Sequence, residues 1–191
     1  MAFFRHTLKF WLPLAAAITL LAGTIYVVTQ QVLRWDLNDP QIQMAEDAAR
    51  ALANGASPSS LIPAGQAPVD IAKSLAPYLI IFDAQGKPLA SGATLHGSTP
   101  LPPQGVWASA RQQGEDRVSW QPEPGVRSAA VIVPVNGGQG GFVLAGRNMR
   151  EVEARENQAL GLVAAGWTAA MALTLALVAL FEGLPFTRSP A

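Results

Sequence analysis

A chain of 191 residues in which Asp, Glu, Lys and Arg make up only 14% while half the residues are hydrophobic carries far less charge than the roughly one-quarter usual in soluble domains. Thirteen basic side chains balance thirteen acidic ones, so no basic stripe is available for a phosphate backbone and nucleic acid is set aside as a partner. The absence of cysteine excludes disulfides, thiolate metal sites and a cysteine nucleophile together.

The missing charge is concentrated in two places. Residues 10–28 and 159–181 contain no Asp, Glu, Lys or Arg, and each run reaches the ~18 to 20 apolar residues a helix needs to cross hydrocarbon. The expected organisation is a cytoplasmic N-terminus (1–9), a first transmembrane helix (10–33), a folded domain (34–158), a second transmembrane helix (159–181) and a cytoplasmic tail (182–191). Arg5 and Lys9 before an apolar run also suit a secretory signal, but the run continues through Val28 without a small-x-small cleavage site, so an uncleaved anchor is expected. Short flanks bearing Arg and Lys stay inside. Arg5, Lys9 and Arg188 therefore point to a two-pass protein of the cell inner (plasma) membrane with its central domain extracytoplasmic, against the opposing pull of Arg34, Arg150 and Arg155. Trp11 and Trp35 bracket the first span, where indoles favour the headgroup zone.

Beyond the first span, Asn38-Asp39-Pro40 offers a helix cap, and Ile42, Ala45, Ala49, Leu52 and Ala53 recur at helical spacing up to Asn54-Gly55. Residues 56–68, rich in Ser, Pro and Gly, read as a loop, and 69–75 as a short helix ended by Pro77. Residues 78–82 form a β-rich run, Asp83-Ala84-Gln85-Gly86 a turn, and 87–91 a returning strand. A short helix at 106–112 follows, then strands at 117–121, 126–135 and 141–147, the last two joined by the Gly-rich turn 136–140. Five antiparallel strands with helices before and between them give an α+β domain. Asn148 and Glu151 have the Asn-x-x-Glu spacing of a reciprocal helix cap, and nothing from 151 to 181 breaks the helix that follows.

This order of elements, carried by residues 78–91 and 117–153, resembles the extracytoplasmic PAS-like, or Cache, sensor domains of bacterial two-span histidine kinases and chemoreceptors. The resemblance implies two transmembrane helices flanking a PAS-like domain with a five-stranded antiparallel sheet and a long N-terminal helix. It also implies a small extracellular ligand, often an organic anion, and a helix displacement passed through the membrane. The chain departs from that pattern at its end: residues 182–191 leave no room for a HAMP linker, a phosphoacceptor helix or an ATP-binding domain. The partners expected besides the lipid bilayer are accordingly a separate membrane signalling protein or a second copy of the chain. Gly161, Ala165, Ala169, Ala172 and Ala176 are of the type that lets helices approach closely in lipid, although an Ala-rich span also follows from general composition.

Catalytic chemistry finds little to build on. There is no Gly-x-Ser-x-Gly or His-Glu-x-x-His arrangement, so no enzyme, catalytic residue or cofactor is expected. With His6 and His96 the only histidines, no multi-histidine metal site is expected. The Gly-rich 136–141 lacks the Lys-Ser or Lys-Thr of a phosphate cradle and reads as a hairpin turn. A ligand pocket, if present, is expected on the sheet face away from the long helices, lined by Trp107, Arg111, Arg117, Trp120 and Arg127. An arginine fork grips a carboxylate and an indole gives an apolar wall. The same tryptophans also suit a core and the same arginines a solvated surface. The expectation is a membrane-anchored extracytoplasmic sensory or ligand-binding module signalling through a separate partner. The alternatives are an interaction protein whose PAS-like domain binds no small molecule, which would show a filled rather than a hollow sheet face, and a truncated sensor kinase.

Overall fold

A computed structural model describes residues 2–35, 39–137 and 140–183. Expectations that fall on Asn38, on turn residues 138–139 and on 184–191 lie outside the described residues. In chain order the elements are α1 (Ala2–Trp35), α2 (Asp39–Ala53), a 3-10 turn at Pro58–Leu61, β1 (Val69–Asp70), β2 (Tyr78–Phe82), β3 (Pro88–Ser91), β4 (Ala93–Thr94), α3 (Val106–Gln113), β5 (Asp116–Glu123), β6 (Val126–Pro134), β7 (Phe142–Asn148) and α4 (Arg150–Gly183). They divide into two compact units, Leu33–Ala154 and a unit made of Met1–Val32 with Arg155–Ala191.

The first unit is α+β. Its five-stranded sheet has the order β3-β2-β7-β6-β5, with every neighbouring pair antiparallel. Tyr78–Phe82 is buried along its whole length, because both faces of the sheet are covered and a strand covered twice needs apolar residues at every position. Alternation then sorts them. Tyr78, Ile80, Phe82, Phe142, Leu144, Ala130, Ile132 and Trp120 pack with Val106, Trp107 and Ala110 of α3. Leu79, Ile81, Val143, Ala145 and Val131 pack with Ala45, Ala48 and Ala49 of α2. The alanines let α2 lie close to the strands, and its outer side carries Arg50 beside Asp47 at 3.3 Å.

The β2–β3 hairpin follows from its turn residues. Asp83 Oδ1 accepts the amides of Gln85 and Lys87 at 2.9 and 2.8 Å, and Gly86 takes φ 80°. A side chain is also excluded there by space, since a Cβ on Gly86 would lie 2.6 Å from Trp107 Nε1.

Residues 69–75 are not the helix their composition suggests. Val69–Asp70 forms a two-residue strand paired in parallel with Ala93–Thr94, with Val69 N donating to Gly92 O at 2.8 Å and Ile71 N to Thr94 O at 3.0 Å. Asp70 ends it by accepting the Ala72 amide on its carboxylate at 3.0 Å, while its own carbonyl takes the amides of Lys73 and Ser74. A short aspartate side chain that captures the amide two residues on competes with helix formation. The Ala72 amide also holds the Asp70 carboxyl below its ordinary value.

In the second unit, α1 and α4 each contain a stretch long and apolar enough to cross a membrane, Thr7–Val32 and Arg150–Phe181. Their apolar side chains are largely uncovered, with Leu20 at 73% and Leu162 at 69% exposure, unlike a helix at the core of a soluble protein and compatible with lipid surroundings. Hydrogen bonds between the two helices are formed by two indoles. Trp11 Nε1 donates to Thr174 Oγ1 at 3.2 Å, and Trp167 Nε1 donates to Thr19 Oγ1 at 3.0 Å. Each threonine hydroxyl meanwhile donates to the carbonyl four residues back in its own helix, Ala15 or Ala170.

Candidate functional site

The five residues expected to line one pocket are distributed over both faces of the sheet. Trp107 is buried in the core, its ring 4.8 Å from that of Phe82 and 4.9 Å from that of Phe142. Arg111, one turn further along α3, places its guanidinium carbon 4.8 Å over the Phe142 ring and donates to the Ala84 carbonyl. These two residues do come together. Trp120 lies in the same core, opposite Ser128 across the β5–β6 pair.

Arg117 and Arg127 lie elsewhere. Strand alternation puts Arg117 on the face opposite to Val118 and Trp120, and Arg127 on the face opposite to Val126 and Ser128. Arg117 pairs with Glu115 at 2.7 Å and Arg127 with Glu153 of α4 at 3.3 Å. Neither Arg117 nor Arg127 converges with the two indoles, and the α3 side of the sheet is occupied by packed rings.

Beneath those rings is a buried polar chain. Ser128 Oγ donates to the Arg147 carbonyl at 3.0 Å, so the 2.5 Å bond between Tyr78 and Ser128 has the phenol as donor. Burial raises the Tyr78 hydroxyl to about 12, since a phenolate has no solvation there. The Trp120 indole N–H, beside the same hydroxyl, has no hydrogen-bond partner among the described residues.

The densest set of long-range polar contacts lies where α4 begins. Asn148 is 3% exposed. Its Oδ1 accepts the Arg150 amide at 2.7 Å and its Nδ2 donates to the Ile71 carbonyl at 2.6 Å. Arg150 Nη2 donates to the Lys73 carbonyl at 2.9 Å, and Arg147 Nε to the Leu75 carbonyl at 3.1 Å. Three alternate carbonyls of the segment joining β1 to β2, at 71, 73 and 75, are thus held by three residues around the start of one helix. Arg147 also meets Glu151 at 3.2 Å, Met149 N donates to the Arg127 carbonyl at 2.8 Å, and Met149 and Val152 pack on Ala129. The cap expected from Asn148 is present in its asparagine half. The junction as a whole was hidden in the sequence, because its acceptors are main-chain oxygens more than 70 residues away.

Several clefts open on this unit, three of them beside the sheet. One of about 270 Å³ lies between Met44 of α2, the loop through Ile62 and Pro68, and the strand ends at Tyr78 and Ser91. One of about 320 Å³ lies by Leu52, Pro58, Phe82 and Leu89, and one of about 350 Å³ between Glu46 and Arg50 of α2 and Val133 and Pro134 of β6. None of the five expected residues lines any of these three. Among the described residues no group of three or more His, Cys, Asp or Glu side chains is placed to hold a metal ion. Comparison with known proteins brings no match: no family model fits the chain, and neither curated proteins nor solved structures are significantly similar to it.

Proposed function

We propose that this is a two-pass protein of the cell inner (plasma) membrane whose PAS-like domain stands outside the cytoplasm and serves as a sensory or ligand-binding module. In this reading the state of the domain reaches α4 and, through it, a separate membrane partner. The observation that carries the reading is the grip of Asn148, Arg150 and Arg147 on the carbonyls of Ile71, Lys73 and Leu75. A helix fastened at its first turn to a loop of the domain, and unbroken from Arg150 to Gly183, converts a loop displacement into a helix displacement, whereas a flexible linker would absorb it.

The absence of cysteine gives a clean test in intact cells. Ser57→Cys on the domain is expected to react with a membrane-impermeant maleimide without lysis. Labelling only after lysis would place the domain inside and overturn the reading. A second reading, an interaction module that binds no small molecule, is favoured by the packed rings of Trp107, Phe82 and Phe142 on the face where a pocket was expected.

A further inference from the structure

The segment that grips α4 is also part of a cleft. Residues 69–77 leave the wall of the 270 Å³ cleft at Pro68 and Val69 and return to it at Pro77 and Tyr78, while the carbonyls of 71, 73 and 75 in between hold the start of α4. A strap anchored at both ends in a cavity wall moves when that wall moves.

The lining defines what the cleft accepts. Its residues are apolar apart from Gln66, Tyr78 and Ser91, with three prolines, Pro63, Pro68 and Pro77, among them. No charged side chain is among them, so a carboxylate or ammonium entering would lose its hydration without a partner. The Tyr78 hydroxyl is committed to Ser128 and the Ser91 hydroxyl to Ala93, donating to its carbonyl at 2.7 Å and accepting its amide at 3.1 Å, which leaves the Gln66 carboxamide to orient a polar group. The prolines fix φ along the wall and make it largely pre-formed. At ~30 Å³ for each water-sized group, the volume suits about nine non-hydrogen atoms.

The geometry points to a binding site at this cleft for a small, uncharged, mainly apolar molecule with one hydrogen-bonding group, coupled through the strap 69–77 to the start of α4. The coupling rests on the sensory reading above; the site does not.

Hydrogen exchange of the full-length chain in lipid nanodiscs tests both parts, with indole and cyclohexanol as probes and benzoate as an anion of similar size. The expected result is a saturable slowing, at least threefold, of amides in 61–69 and 77–79 with indole or cyclohexanol but not benzoate, accompanied by a change in 147–153. Ala67→Phe, which fills the cleft from an exposed loop position, is expected to abolish the slowing. Asn148→Ala is expected to keep it and to lose the change at 147–153. No slowing with either neutral probe, equal slowing with benzoate, or slowing that survives Ala67→Phe would each overturn the site. Slowing at 61–69 with 147–153 unmoved would keep the site and overturn the coupling, and with it the sensory reading.

Discussion

The indole of Trp167, in the middle of the apolar stretch of α4, donates to the hydroxyl of Thr19 in α1 at 3.0 Å. Within a bilayer an indole at this position would have no water to bond, so its N–H would depend on a protein acceptor. With the Trp11–Thr174 bond, each helix supplies one donor and one acceptor, eight residues apart in α1 and seven in α4. A slip by one helical turn would bring Ala or Gly opposite Trp167 and Ala, Met, Leu or Val opposite Trp11. The two bonds therefore specify a single axial register.

The register can be weighed by a double-mutant cycle. Interhelical hydrogen bonds in lipid contribute on average about 0.6 kcal/mol. Thr19→Val and Trp167→Phe in the full chain should each destabilise the helix pair by about 0.5 to 1.5 kcal/mol in mixed-micelle unfolding, with a coupling near the average. Strictly additive effects would show that the bond contributes nothing.

Asn148 has two tasks that substitution can separate. Asn148→Ala loses the cap, about 1 kcal/mol, and leaves the Ile71 carbonyl unpaired, about 1 to 3 kcal/mol more, so a loss of about 2 to 4 kcal/mol is expected in denaturant unfolding. Asn148→Asp preserves a capping oxygen but turns a carboxylate toward that carbonyl. It should be as harmful as alanine; a neutral Asn148→Asp would reduce the residue to an ordinary cap.

Tyr78 gives the domain a signature at high pH. Its hydroxyl lies near 12 in the fold against 10 ordinarily. Below pH 10 both states are protonated and the contribution is complete. Between pH 10 and 12 the unfolded chain releases a proton that the folded chain retains, so stability falls as pH rises, by about 2 to 3 kcal/mol in all. Stability curves of the full chain at pH 9 to 12 should show this slope, and Tyr78→Phe should remove it.

Gly86→Ala combines two penalties, a left-handed backbone at φ 80° and a Cβ 2.6 Å from Trp107 Nε1. A loss of about 2 to 4 kcal/mol is expected from backbone strain and overpacking together, with a shift in tryptophan fluorescence. Adding Trp107→Phe should recover part of the loss, since it removes the clash and leaves the strain. Absence of any recovery would show that the ring contact is unimportant.

How much of this was legible depended on where each signal was stored. The 78–91 hairpin is encoded in its own turn, Asp83 to Gly86, and needs no distant partner. Residues 69–75 read as a helix in sequence because Val69, Ala72 and Leu75 fit one, while the pairing that makes Val69–Asp70 a strand involves Gly92 and Thr94, more than twenty residues on. The expected pocket contained its own objection: Arg117 and Trp120 are three apart in one strand, an odd spacing that puts them on opposite faces. Trp167 carries a signal of its own, since an indole in the middle of a candidate span calls for a partner on a neighbouring helix.

Recognition of α4 by carbonyl oxygens changes what must be inherited for the junction to persist. Every residue presents the same carbonyl oxygen to Asn148, Arg150 and Arg147, so the junction does not read the side chains of Ala72, Lys73 and Ser74, where only proline is barred because the amides there bond Asp70. The number of residues between Asp70 and Pro77 is not free, because one more or one fewer would bring different oxygens to the three donors. Divergence in this strap should therefore appear as substitution at constant length, with gaps confined to the loop before Pro68.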